Sequence, residues 1–281
     1  MSAAVIYFEN DYIDISKTFD CGQCFRWREV SDGQFRGIVG GQVVTCSVRD
    51  SAVHISFDRT EGLDEPRESL FWRRYFDLDT DYVSAVRELS ADAYLRTACQ
   101  AGHGIVLLNQ EPFETLISFI ISQNNNISRI RGIIERLCEN FGTPLYGAQS
   151  ADIKGYSFPT AEKLAQLEIP SLDVLRAGFR AKYILDAARK VESGEVDFSR
   201  VQSLGYDEAK AELCRIKGVG DKVADCVLLF SCGKRQSFPK DVWIKRVIAG
   251  QYADGLPDCV RGREGIAQQM MFYHARYGGG S

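Results

Sequence analysis

Hydrophobic and polar residues alternate through the first 57 residues, a pattern that is typical of β-strands. Turn sequences interrupt this alternation at Ser31-Asp32-Gly33 and at Gly40-Gly41. The pattern therefore predicts a small antiparallel sheet at the start of the chain. Its predicted strands are residues 4–8, 24–28, 35–39, 43–48 and 53–57.

The spacing of apolar residues changes to that of helices from residue 66 onward, first over residues 70–77 and then over residues 82–89. After this point, helical patterns are separated by breaks that contain glycine or proline. We therefore predict an α+β protein with two parts. Residues 1–79 form an antiparallel β-sheet domain with a flanking helix, and residues 80–281 form an all-α domain.

Composition limits the classes of protein to which the chain can belong. Its 281 residues, 45% of them hydrophobic, suffice to bury a substantial core. No stretch approaches the roughly 20 apolar residues that span a bilayer, and acidic residues arrive too early for a signal peptide. Nine scattered cysteines, an odd number, do not fit a disulfide framework and favour a reducing, intracellular location.

The net charge of −4 is unevenly distributed along the chain. Residues 1–79 contain 9 basic and 14 acidic side chains, whereas residues 204–281 contain 12 basic and 9 acidic ones. The last part of the chain is therefore locally basic, although the whole chain is acidic. This local excess gives modest support to a nucleic-acid-binding surface in that part.

Residues 207–232 predict two helices joined by a tight glycine turn. Gly218 and Gly220 allow a positive φ and a bare backbone, so the turn can approach a bulky partner. The unpaired N–H groups at the start of the second helix can bind a phosphate. Lys222 lies in the first turn of this helix, and Cys226 follows one turn later on the same face.

With the downstream segment Phe238-Pro239-Lys240-Asp241, this hairpin resembles the helix-hairpin-helix DNA glycosylases. In that superfamily a lysine follows the hairpin, and a stretch rich in glycine and proline ends in an aspartate. The corresponding residues here are Lys222 and Asp241. A glycine turn followed by a helix with a surface lysine is common, so further motifs must support the assignment.

The segment C-G-Q-C-F-R-W, which begins at Cys21, resembles an element of the 8-oxoguanine DNA glycosylases. The resemblance implies that the carbonyl of Gly22 accepts a hydrogen bond from N7–H of 8-oxoguanine. Guanine has a lone pair at N7, and an unpaired buried acceptor costs ~1–3 kcal/mol. A zinc site at Cys21 and Cys24 would need a second ligand pair with matching spacing, and the sequence offers none.

Two further motifs contain residues to which the resemblance assigns DNA contacts. In S-Q-N-N-N-I-S-R-I, Asn124 would enter the duplex where the flipped base has left, and Arg129 would reach the orphaned cytosine. In G-F-R-A-K-Y, Phe179 would wedge into the kinked base step, and Arg180 would make a second contact with that cytosine. Judged alone, the first motif could equally be an ordinary helix connection. The alternative for the second is a buried aromatic residue beside a surface arginine.

The last helical pattern has Gln268 and Phe272 one turn apart on the same face. The resemblance makes Gln268 the reader of the Watson–Crick edge of the base, with Phe272 and Cys226 as opposite walls of its pocket. Judged alone, this pattern would be an ordinary amphipathic helix. The chain departs from the vertebrate-type proteins at Trp243, where those proteins have a phosphate-contacting histidine, so that role is not carried over.

The motifs occur in the order of the family along nearly the whole chain, and the resemblance implies a bifunctional enzyme. Lys222 would displace the base and form a Schiff base, which permits β-elimination, while Asp241 would stabilise the sugar cation. Gly218 and Gly220 would bind DNA. The expected partner is double-stranded DNA with 8-oxoguanine, preferably opposite cytosine. The enzyme would act as a monomer, away from membranes, inside the cell with access to DNA.

No metal and no cofactor are expected. The iron–sulfur relatives end in four spaced cysteines, whereas this chain has only Cys259 beyond residue 232. Two alternatives remain: the same fold acting on oxidised pyrimidines or alkylated purines, and a non-catalytic helix-hairpin-helix module that holds DNA. The G-Q-C-F-R-W element argues against the first alternative, and Lys222 together with Asp241 argues against the second.

Overall fold

The computed structural model describes residues 5–57, 64–145 and 155–278. A five-stranded sheet comes first and helices follow, so the predicted α+β class is confirmed. The strands are β1 Val5–Glu9, β2 Trp27–Ser31, β3 Gln34–Val39, β4 Gln42–Arg49 and β5 Ala52–Phe57. The helices are α1 Ile15–Asp20, α2 Glu65–Tyr75, α3 Tyr82–Leu89, α4 Ala93–Ala101, α5 Pro112–Ser122, α6 Ile127–Phe141, α7 Ala161–Ala165, α8 Ala181–Glu192, α9 Phe198–Ser203, α10 Tyr206–Cys214, α11 Asp221–Ser231, α12 Val242–Gln251 and α13 Glu264–Tyr273. Short 3₁₀ helices span Ile169–Leu175, Gly178–Arg180 and Asp258–Val260, and a π-helical turn spans His274–Gly278.

The strands form one antiparallel sheet in the order β1-β5-β4-β3-β2. Strands β3 and β4 are joined by the two-residue turn Gly40-Gly41, whose φ angles are 58° and 76°. Two-residue hairpins of this kind need positive φ at both positions to match the twist of the strands. The predicted antiparallel sheet and this predicted turn are therefore confirmed.

The chain between β1 and β2 differs from the prediction. Helix α1 begins after Asp14, whose carboxylate accepts the N–H of Lys17 at 3.0 Å. Its six residues are too few to produce a visible helical period. The strand predicted over residues 24–28 begins only at Trp27, on whose ring Phe19 of α1 stacks with centroids 4.2 Å apart. The residues between α1 and β2 therefore lie outside the sheet and form bends.

Helix α5 is almost entirely buried and packs against α6, α8 and α11, which places it at the centre of the helical part. One continuous hydrophobic core runs from the inner face of the sheet through α2 into these helices. The predicted division after residue 79 stays a prediction. Within the ranges that the structure describes, none of the helices is long and apolar enough to cross a membrane.

Candidate active site

The predicted hairpin joins α10 to α11. Gly218 has a φ of +81°, and a Cβ at this position would lie 2.4 Å from ring carbons of Tyr183. Both the left-handed backbone and the close approach therefore require glycine. Gly220 does not use the positive φ that glycine allows: its φ is −107°, an extended conformation. Gly220 caps α11 without a side chain, and a Cβ there would meet no atom within 4 Å, which leaves the helix N-terminus uncovered.

Lys222 in the first turn of α11 reaches across to the end of α5. Its Nζ lies 3.3 Å from Ser122 Oγ and 5.0 Å from the centroid of the Phe119 ring. The hydroxyl of Ser122 donates to the carbonyl of Phe119 at 2.8 Å, so its lone pairs accept from the lysine. Two side chains of one helix therefore position the amine of another helix.

Cys226 lies one turn after Lys222 and is buried. Burial raises the pKa of its thiol to about 11, although the charge of Lys222 acts in the opposite direction. At neutral pH Cys226 is therefore a neutral thiol. It does not supply the thiolate that would hold the neighbouring lysine in its charged, unreactive form.

Asp241 is the N-cap of α12. Its Oδ1 accepts the N–H of Ile244 at 2.9 Å, which fixes the carboxylate at the start of that helix. Both Asp241 and Lys222 line the same cavity, although they belong to different helices. A lysine amine and a carboxylate therefore share one site.

The turn at Gly22 forms another wall of this site. Gly22 has a φ of +79°, and a Cβ there would lie 3.3 Å from the ring of Phe272. The next side chain, Gln23, is buried: its Nε2 donates to the carbonyl of Val106 at 2.8 Å, and its Oε1 accepts the N–H of Leu108 at 2.8 Å. Gln23 thus fastens the turn to the helical part, a role that the sequence analysis missed.

A cavity of about 730 Å³ lies between this turn, the end of α5, the starts of α11 and α12, and α13. Its size falls within the roughly 300–1,000 Å³ of small-molecule sites. No group of three or more metal-ligating side chains occurs in the described ranges. The predicted site residues that line the cavity are Gly22, Asn124, Gly220, Lys222, Cys226, Asp241, Gln268 and Phe272. Those outside its lining are Arg129, Phe179, Arg180 and Gly218.

Arg180 holds the loop before α6. Its side chain is only 3% exposed, and its guanidinium donates to the carbonyls of Gln123, Asn124 and Ala177. Asn124 is exposed at the tip of this loop with a φ of +46°, which asparagine tolerates better than most residues. Arg180 thus supports the position of Asn124, and its own contact with a cytosine stays a prediction.

Phe179 and Arg129 are exposed near this loop. The ring of Phe179 is 48% exposed, and the guanidinium of Arg180 lies 4.5 Å from its centroid. Burial, and to a lesser extent the nearby charge of Arg129, lower the pKa of Arg180. An exposed aromatic ring, an asparagine and two arginines are therefore grouped beside the cavity.

Residues 5–116 match a sequence model of the 8-oxoguanine DNA glycosylase N-terminal domain, and residues 117–254 match that of the HhH-GPD superfamily base excision DNA repair proteins. The structure of MBOgg1 in complex with a low affinity DNA ligand is 36% identical, with a TM-score of 0.87 over 99% of this chain and 100% of that chain. The chain belongs to the 8-oxoguanine DNA glycosylases. The recognition made from the motifs is thus confirmed.

Two other members of this glycosylase family show how far the similarity extends. The Clostridium acetobutylicum 8-oxoguanine glycosylase/lyase, in complex with double-stranded DNA containing cytosine opposite to 8-oxoG, is 34% identical, with a TM-score of 0.85 and 98% of each chain covered. The N-glycosylase/DNA lyase of Saccharomyces cerevisiae is 36% identical over 64% of this chain. The chain spans 50% of the length of that yeast protein.

Three residues of the site were missed from the sequence. Gln23 and Ser122 stand inside motifs that were recognised, next to residues that received a role. Gln269 follows Gln268 directly and also lines the cavity. Gln23 and Ser122 contribute through hydrogen bonds to distant parts of the chain, and Gln269 through one to its neighbour Gln268; a single sequence carries no signal for either kind of bond.

Proposed function

We propose that this glycosylase extrudes 8-oxoguanine from double-stranded DNA, excises it through Lys222 and then cleaves the strand by β-elimination. The observation that carries the proposal is the single cavity that Lys222 and Asp241 share with the base-binding candidates. Family membership supports the same class of reaction. Because one chain supplies every candidate, the enzyme acts as a monomer. Its substrate requires a location inside the cell with access to DNA.

The extruded base stacks between Cys226 and Phe272, because a glycosylase must take its target out of the helix to reach the sugar. The carbonyl of Gly22 accepts the N7–H that distinguishes 8-oxoguanine from guanine. The neutral thiol of Cys226 suits contact with a base face, because no charge needs to be desolvated there. Gln268 pairs with the Watson–Crick edge.

The chemical step begins when the neutral amine of Lys222 attacks C1′ of the deoxyribose. The new N–C1′ bond forms as the glycosidic bond breaks, and the bonding electron pair leaves with the base, which takes up a proton. Asp241 stabilises the positive charge that develops on the sugar. Ring opening gives an imine, and removal of a C2′ proton then expels the 3′ phosphate.

The exposed groups beside the cavity bind the rest of the duplex. Asn124 fills the gap left by the extruded base, Phe179 stacks at the kinked step, and Arg129 and Arg180 contact the orphaned base. The hairpin at Gly218 and Gly220 binds the backbone through its N–H groups. The Clostridium enzyme was solved with cytosine opposite to 8-oxoG, which supports the preference proposed here for the same pair.

The decisive test is single-turnover excision from duplexes that carry 8-oxoguanine opposite C, A, G or T, with and without borohydride. We expect fast excision opposite C and a covalent adduct that borohydride traps. Excision that is indifferent to the opposite base would remove the roles of Arg129 and Arg180. No adduct with any lesion would favour the DNA-holding module instead.

Lys222→Gln is expected to abolish both excision and trapping while lesion binding persists, because the glutamine keeps the size of the side chain but cannot form an imine. Lys240→Gln is the matched control, since Lys240 lines the same cavity. Its adduct with DNA should still form. If Lys222→Gln retained the adduct and Lys240→Gln lost it, Lys240 would be the nucleophile.

A further inference from the structure

Two consecutive glutamines of α13 form a short chain of hydrogen bonds at the wall of the cavity. Gln268 Nε2 donates to the carbonyl of Pro239 at 3.2 Å, and Gln269 Nε2 donates to Gln268 Oε1 at 3.1 Å. Each of the two side chains is only 3% exposed. Gln269 Oε1 is buried and finds no hydrogen-bond partner among the described residues.

The carbonyl of Pro239 determines the orientation of both amides. A main-chain carbonyl only accepts, so the end of Gln268 that faces it must be the NH₂ group. The oxygen of Gln268 then faces Gln269, which must present its own NH₂ group. If Gln269 were turned over, two amide oxygens would face each other. The donor of Gln269 therefore reinforces the orientation of Gln268 that Pro239 selects, and it leaves the oxygen of Gln269 itself unpaired.

We infer that Gln269 is a positioning residue that makes Gln268 selective for the edge of guanine over that of adenine. This inference rests on the proposed function. A primary amide that can turn over presents its donor and acceptor in either order. It could thus pair with the O6 and N1–H of guanine, or with the opposite pattern of N6–H and N1 in adenine. An amide held in one orientation matches only one of these patterns.

The test compares duplexes that carry 8-oxoguanine or 8-oxoadenine opposite cytosine. Both lesions have N7–H, so the contact with Gly22 is common to them and only the Watson–Crick edge differs. We expect the ratio of their single-turnover rates to favour 8-oxoguanine in the wild type. In Gln269→Leu this ratio should fall about 3- to 10-fold, the effect of one hydrogen bond. The rate on 8-oxoguanine should account for most of the fall.

Two controls separate positioning from damage to the fold. Gln269→Leu removes a buried oxygen that has no partner, so the melting temperature should not fall, and Gln269→Met provides a second variant of similar length without a donor. In a Gln268→Leu background, Gln269→Leu should not change the ratio further, because it acts only through Gln268. A structural role would lower both rates equally.

An unchanged ratio in both Gln269→Leu and Gln269→Met would overturn the inference. A further fall of the ratio in the Gln268→Leu background would do so as well. Excision of neither lesion by the wild type would instead contradict the proposed function, so the two failures are distinguishable.

Discussion

The amine of Lys222 is placed by neighbours that carry no charge. Cys226, one turn along the same helix, is a neutral thiol. The amine of Lys222 also lies close to the ring of Phe119 and to the hydroxyl of Ser122. A ring and a hydroxyl orient the amine through weak interactions, whereas a carboxylate at that distance would bind the ammonium tightly. The arrangement therefore supports the nucleophilic role that we propose for Lys222.

Ser122→Ala tests this arrangement. Ser122 Oγ accepts a hydrogen bond from the lysine, and its removal leaves the amine free to turn away from its position in the cavity. The maximal single-turnover rate should fall roughly 3- to 10-fold, since one orienting hydrogen bond is lost. The measurement is the single-turnover rate on 8-oxoguanine opposite cytosine between pH 5.5 and pH 9.

Ser231→Ala is the matched control for that variant. Ser231 is also a helical serine whose hydroxyl donates to a main-chain carbonyl, that of Val227 at 2.7 Å, but it is more buried than Ser122 and does not line the cavity. Its pH profile should coincide with that of the wild type. Coincident profiles for Ser122→Ala and the wild type would mean that the serine does not position the amine.

At this scale the sequence could predict residues but not all of their conformations. Lys222, Asp241 and Gly22 stand in motifs that the family resemblance singled out, and all three line one cavity. The burial of Arg180 was not predictable, because its partners are main-chain carbonyls 56 and 57 residues earlier in the chain. The orientation of Gln268 likewise depends on Pro239, in a different segment.

Among the elements, the hairpin between α10 and α11 shows two glycines with different functions. Gly218 is required by packing, because its backbone is left-handed and Tyr183 covers it. Gly220 has an extended backbone and open surroundings. Its lack of a side chain therefore leaves the N-terminus of α11 accessible to a ligand. Both are hairpin glycines in the sequence, and only the folded structure distinguishes their roles.

Gly218→Ala and Gly220→Ala should therefore give opposite results. Gly218→Ala should lower the free energy of unfolding by about 1–3 kcal/mol, through strain at positive φ and the clash with Tyr183. Gly220→Ala should change stability by less than about 0.5 kcal/mol and yet weaken DNA binding, because its Cβ would stand before the N–H groups of α11. Chemical denaturation and binding titrations on one duplex measure both quantities.

Equal stability losses in the two variants would contradict this division of function. Unchanged DNA binding in Gly220→Ala would show that no phosphate approaches the start of α11.

The length of an element decides how well its sequence pattern predicts it. Long periodic helices and alternating strands were predictable from their patterns, whereas six-residue α1 and the true start of β2 depend on the stacking of Phe19 on Trp27.

Across the whole molecule, one continuous core joins the sheet to the helices and contains most of the cysteines. Burial raises the pKa of Cys21 and Cys138 to about 12, and that of Cys99 and Cys232 to about 11. An unfolded chain exposes the same thiols to water, where they ionise near pH 8.5. Protonation is therefore coupled to folding through thiols that take no part in the proposed chemistry.

This coupling predicts that the enzyme loses stability at alkaline pH. Between the pKa of an exposed thiol and the raised pKa of the folded state, unfolding releases a proton, so stability is complete below about pH 8.5 and falls as the pH rises toward 11. Each thiol should contribute a loss of about 1.4 kcal/mol per pH unit in that window. Urea unfolding under reducing conditions at pH 7.5, 9 and 10 measures the slope.

Cys138→Ala should reduce this slope by the contribution of one proton, even though the cavity that it creates lowers stability at every pH. Exposed Cys214 provides the contrast: partial burial raises the pKa of its thiol less than full burial raises that of Cys138, so Cys214→Ala should reduce the slope by a smaller amount. A free energy of unfolding that stayed constant from pH 7.5 to pH 10 would mean that the core admits water to its thiols. If the single substitution Cys138→Ala abolished the whole slope, the coupling between thiol protonation and folding would instead come from α6.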